Sequence, residues 1–157
     1  MPLLDFSTIL RDIHPLTTHF PIALLVVSVF LDVVARLRQS DSTGLRRASY
    51  ITLILGAIAA VVTVITGNIA LNAVGGENTA KGQLVNTHQA LAVLSTLIFV
   101  VLAIWRFRSL RGAGDVSTRG LYLGVELLGV VGLVLTGLAG GNLVYTYGLG
   151  VVGAAIP

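Results

Sequence analysis

The sequence has no cysteine, little charge and few aromatic residues. Without cysteine there can be no disulfide, thiolate metal site or cysteine nucleophile, and the compartment is left open. Charged residues make up 11% of the 157 positions, where soluble domains carry about 25%. A soluble fold of this length needs polar faces to cover its core, and this chain has too few of them. What fills the sequence is apolar: 55% hydrophobic residues and a mean hydropathy of +0.91. The length suits one domain over 1–157.

Four apolar runs stand out, at about 16–37, 50–71, 84–107 and 121–145. Each exceeds the ~20 residues a helix needs to cross the hydrocarbon core of a bilayer. The runs are too long, and alternate too little, for membrane strands. The expected fold is therefore an all-α membrane protein, a four-transmembrane-helix bundle, with the lipid bilayer as its first partner. Asp5 and Asp12 precede the first run, with no basic n-region and no small-residue cleavage site, so the first span is expected to remain as a helix. The pI near 9.8 comes without any nucleic-acid motif, and nucleic acid is not an expected partner.

The basic residues orient the chain. Arg36, Arg38, Arg46 and Arg47 flank the loop after the first run, and Arg106, Arg108, Arg111 and Arg119 that after the third. The opposite side carries Arg11 and Lys81. Short loops rich in Lys and Arg stay in the cytoplasm. Both termini and the 74–83 loop are thus expected outside, on the periplasmic face of a bacterial cytoplasmic (inner) membrane.

The two halves align. At an offset of 69, His19 and Ala23 fall on His88 and Ala92; at 70, Thr66-Gly67 falls on Thr136-Gly137, Ala59 on Gly129, Ala70 on Gly140 and Asn72 on Asn142. The alignment predicts two tandem helical hairpins related by a pseudo-twofold axis along the membrane normal. Small residues stripe the even-numbered spans, at Gly56, Ala59, Ala60, Thr63, Gly67 and Ala70, and at Gly129, Gly132, Thr136, Gly137 and Gly140. Such stripes let helices, or a flat ligand, come close. Gly120/Gly124 and Gly137/Gly141 read as GxxxG.

The three histidines, His14, His19 and His88, all fall at the outer ends of the first and third spans. Neutral imidazole is a common ligand of haem iron. The symmetric placement predicts His19 and His88 as axial ligands of one haem b, with His14 secondary. Ala23 and Ala92 would leave room beside the ring, and Thr66-Gly67 and Thr136-Gly137 would wall it. Pro21 frees a carbonyl within the early helix, a possible partner for an imidazole N–H. Alternatives remain open: the magnesium of a bacteriochlorophyll, Cu or Zn on the three histidines, for which the sequence offers no obvious carboxylate beside them since Asp12 and Glu77 are loop residues, or interfacial histidines bonded to loops and water. Asp32 and Glu126 are the acids within the runs, both toward the cytoplasmic ends. Asp32 is expected to pair with Arg36 one turn on, and Glu126 with a loop arginine or a neighbouring subunit. Tyr50, Tyr122, Tyr145, Tyr147 and Trp105 fit an interfacial aromatic belt.

The string His14-Pro15-Leu16-Thr17-Thr18-His19-Phe20-Pro21-Ile22-Ala23-Leu24 resembles the signature of a bacterial membrane family, domain of unknown function 2231. Thr136-Gly137 and Gly140-Gly141-Asn142-Leu143-Val144-Tyr145 resemble its last helix, and His88 fits its third-helix histidine. The resemblance implies a small four-helix membrane domain with no settled activity. Relatives that occur with Rieske or cytochrome c modules imply a redox setting. The family often has a Tyr-x-His-Gly pattern where this chain has Tyr145-Thr146-Tyr147-Gly148, so any ligand role of that histidine would be lost here or fall to Tyr147. The expected function is a b-type haem protein in electron transfer, an electron carrier rather than a stand-alone enzyme, associated with membrane or redox subunits or with a second copy. The competing expectation is a cofactor-free structural or assembly subunit of a larger membrane complex.

Overall fold

In hydrocarbon every backbone N–H and C=O must find a partner within the protein, and helices meet that demand one segment at a time. A computed structural model describes residues 13–38, 41–72, 80–112 and 114–149, and the apolar runs are helices in it. Helix α1 covers His19–Leu37 and continues a helical stretch at 13–17. Helix α2 covers Thr43–Asn72, α3 Ala80–Leu110 and α4 Gly120–Tyr145. A short 3-10 turn, Val116–Thr118, leads into α4. All four helices are long and apolar enough to span a membrane, the first from Ile13 to Leu37. Among the described residues there is no strand. Several helices run past the apolar runs, because a helix stops where its hydrogen bonding stops rather than where lipid does. Asp41 bonds the Thr43 N–H at 2.9 Å and Asp115 the Ser117 N–H at 3.0 Å, so both second-of-pair segments begin in polar sequence.

The helices form two hairpins, α1 with α2 and α3 with α4. The hairpins meet chiefly through α2 and α3 and close through α1 and α4, which leaves α1 and α3 on one diagonal of the bundle. Glycine lets the partners within each hairpin approach: Gly56 lies under Leu25 and Gly129 under Phe99. The apolar bulk points outward, with Phe20, Phe30, Leu55, Leu97 and Leu138 all exposed. A Cβ on Gly124 or Gly137 would meet nothing within 4 Å among the described residues, so these members of the GxxxG pairs seat none of the described helices.

Contacts recur between the hairpins at an offset of 74 on the odd helices and 73 on the even ones. The His14 ring lies on Gly67 as the His88 ring lies on Gly140, and Leu25 lies on Gly56 as Phe99 lies on Gly129. Ser28 donates to the Ser49 carbonyl, and at the equivalent place Tyr122 donates back to the Leu102 carbonyl. Asp41 caps Thr43 as Asp115 caps Ser117. The same offset relates Asp32 to Arg106. The expected register of 69 and 70 thus gives way, and His14 rather than His19 is the contact equivalent of His88.

Candidate functional site

The bundle is polar inside at both ends. The histidine end is built by the starts of α1 and α3 and the finishes of α2 and α4. His14 and His88 are half-buried and reach it from the diagonal helices. His88 Nδ1 is 3.0 Å from the Thr136 carbonyl, which can only accept, so that nitrogen carries the proton. His14 Nδ1 is 3.2 Å from the Thr66 hydroxyl, which itself donates to the Thr63 carbonyl at 3.0 Å. The ring is therefore the donor there too. With Nδ1 the donor on each ring, a neutral imidazole would keep its lone pair on Nε2, the arrangement that orients an imidazole as a metal ligand. Gly67 and Gly140 back the two rings. A Cβ on either would fall 2.8 Å from His14 Cε1 or 3.0 Å from His88 Cε1.

His19 takes no part in this. It is exposed, and its Nδ1 bonds the Pro15 carbonyl one turn back, at 3.0 Å. Ala23 is exposed and Ala92 half-buried. Thr66 and Gly67 hold His14, while Thr136 holds His88 through its carbonyl. The second ring's glycine is Gly140 rather than Gly137, which is exposed. The Thr17 carbonyl, which cannot bond the nitrogen of Pro21, accepts the Thr63 hydroxyl at 3.1 Å instead of an imidazole. Farther down the same end, the Gln89 amide donates to Asn68 and ties α3 to α2. Tyr147 is half-buried just before Gly148. Among the described residues no three His, Cys, Asp or Glu side chains gather to hold a metal ion. The carboxylates of Asp12 and Glu77, like Asp5, Arg11 and the side chains of Lys81 and Asn72, lie outside the described residues.

The arginine end was only half legible. Asp32 pairs with Arg106, not Arg36, at 2.7 Å between Oδ2 and Nη1. Asp32 is on the buried face of α1, whereas Arg36 is exposed and donates to the Thr118 carbonyl. Arg106 Nη1 also donates to Ser49 Oγ at 3.0 Å, and Nη2 to the Arg46 carbonyl at 2.9 Å and to Asp115 Oδ2 at 3.0 Å. The Tyr50 ring lies 5.3 Å from the guanidinium. Arg106 is thus an interior group and not a loop charge; its place inside the third apolar run was the available signal. Tyr122 is likewise no belt residue. It is fully enclosed and meets Trp105 edge-on at 5.5 Å between ring centroids, while Tyr145, at 91% exposure, suits the interface. Outside the spans, burial pushes the Asp115 carboxyl up, but the Ser117 N–H and Arg106 outweigh it and hold the group below the usual carboxylate range.

A family model described as "Predicted membrane protein (DUF2231)" matches residues 11–153, nearly the whole chain. No curated protein and no solved structure matches it.

Proposed function

We propose, for a chain that belongs to this domain of unknown function 2231 family, that the histidine end is a one-electron site with His14 and His88 as the axial ligands of a haem b. The observation that supports it is the pair of imidazoles on diagonal helices, each donating from Nδ1 and with no bond to Nε2 among the described residues. Gly67 and Gly140 fit the reading, since any side chain there would displace a ring. The group, once bound, supplies exchange between ferric and ferrous iron. The protein's part is to fix ring orientation through Thr66 and Thr136 and to exclude water with apolar helices. The arginine distribution favours the inner membrane of a bacterium, with the histidine end outside. Partners would be other membrane or redox subunits or a second copy. A bacteriochlorophyll would use the same Nε2 atoms, and Cu or Zn would need further donors.

A second reading, a cofactor-free structural subunit, is favoured by the rings' direct seating on glycine, which packs the helices without an added group. The absorption spectrum decides. Protein purified from haem-sufficient membranes is expected to show a Soret band and a sharp reduced α band. His14→Ala and His88→Ala should abolish both, and His19→Ala should keep them. Absence of the bands in the wild type would sink the haem reading, and their loss in His19→Ala would return the ligand role to His19.

A further inference from the structure

The buried interior of the arginine end holds more acid than base. Asp32, Arg106 and Glu126 are 1%, 0% and 0% exposed. The one guanidinium serves Asp32 and Asp115 through ion pairs of 2.7 and 3.0 Å. Its other bonds go to Ser49 and the Arg46 carbonyl, and none reaches Glu126. Both Glu126 oxygens and Asp32 Oδ1 are buried without a donor. Glu126 faces Asp32 from α1, Arg106 from α3 and Asp115 from the loop. From its own helix it faces Tyr122, whose hydroxyl is turned to the Leu102 carbonyl. Helix α2 brings Ser49, the Tyr50 ring and the backbone carbonyl of Arg46 to this cluster.

A buried carboxylate with neither counter-ion nor donor costs several kcal/mol. Two neighbouring carboxyls avoid that cost by sharing one proton, and the donorless oxygens of Asp32 and Glu126 are both buried at this end of the bundle. One carboxylic proton shared between Glu126 and Asp32 would supply the missing donor.

We propose that Glu126 and Asp32 form a carboxyl pair that binds a single proton at neutral pH, enclosed between α1 and α4 at the arginine end. Uptake forms the Glu126 O–H bond and its hydrogen bond to Asp32. Release leaves a second negative charge beside Asp32, where Arg106 is already paired with Asp32 and Asp115. The site stands whether or not the histidine end binds haem.

Infrared spectroscopy of the protein in liposomes tests this. The chain has two glutamates, Glu77 and Glu126. In Glu77→Gln protein labelled with 13C-glutamate, Glu126 is the only labelled carboxyl and its surroundings are untouched. A protonated carboxylic C=O band is expected at neutral pH, shifted by the label and by D2O. Glu126→Gln, whose amide can still donate to Asp32, should fold and lose the band. No labelled band in the Glu77→Gln protein, or a band that persists in Glu126→Gln, would overturn the proposal.

Discussion

At the scale of single residues, the neighbour across the helix interface decides what a side chain is worth. Gly137 and Gly140 are one turn apart on α4, yet only Gly140 has a ring against it. Gly140→Ala and Gly67→Ala should each destabilise the protein by about 1–3 kcal/mol through overpacking, and Gly137→Ala should change stability by less than about 0.5 kcal/mol. Unfolding in SDS, followed by helical circular dichroism, measures all three. The arginines divide in the same way. Arg106→Met leaves Asp32 buried without its cation and should cost about 3–5 kcal/mol. Arg36→Met, at an exposed position, should cost under about 1 kcal/mol in the same assay. Composition revealed that some arginine had to border the apolar runs, but not that Arg106 turns inward, because that depends on which face of α3 meets Asp32.

At the scale of elements, the helices owe their ends and bends to named hydrogen bonds. Pro21 denies the Thr17 carbonyl its backbone partner, and Thr63 supplies one from α2. Thr63→Val keeps the shape but removes that donor, and should destabilise the hairpin by about 1–2 kcal/mol. The same SDS titration reads it, and a loss below a few tenths of a kcal/mol would mean that another donor replaces Thr63. The caps carry a pH dependence. Asp115 ionises below the ordinary carboxylate range in the folded protein. It therefore stabilises fully above the unfolded value of about 3.9, and that contribution is lost as pH falls through the depressed folded value. Acid should lower the unfolding midpoint of the wild type more than that of Asp115→Asn. The existence of four helices was legible from apolar length alone. Their polar first turns were not, since a cap at Asp41 or Asp115 looks in sequence like any loop acid.

At the scale of the whole molecule, topology was the most legible property and register the least. His14 and His19 are five residues apart, roughly 140° around a helix, so only one can face the interior. Sequence spacing favoured His19 because the Thr-Gly pairs aligned with it; packing against Gly67 selects His14. The absence of cysteine makes the orientation directly measurable. Single cysteines at Gly44 and Gly112, both in open space on the arginine end, should resist a membrane-impermeant maleimide in intact cells and react after permeabilisation. Labelling of both in intact cells would invert the orientation.

The recurrence of contacts has one consequence for how such a molecule could arise. Asp32 and Arg106 occupy equivalent positions in the two hairpins and pair with each other. A dimer of identical hairpins would set like charges against each other at that point, Asp against Asp or Arg against Arg. Only a pair of halves free to diverge can place an anion on one and a cation on the other. The buried ion pair, with its anion on one hairpin and its cation on the other, therefore makes the two halves no longer interchangeable.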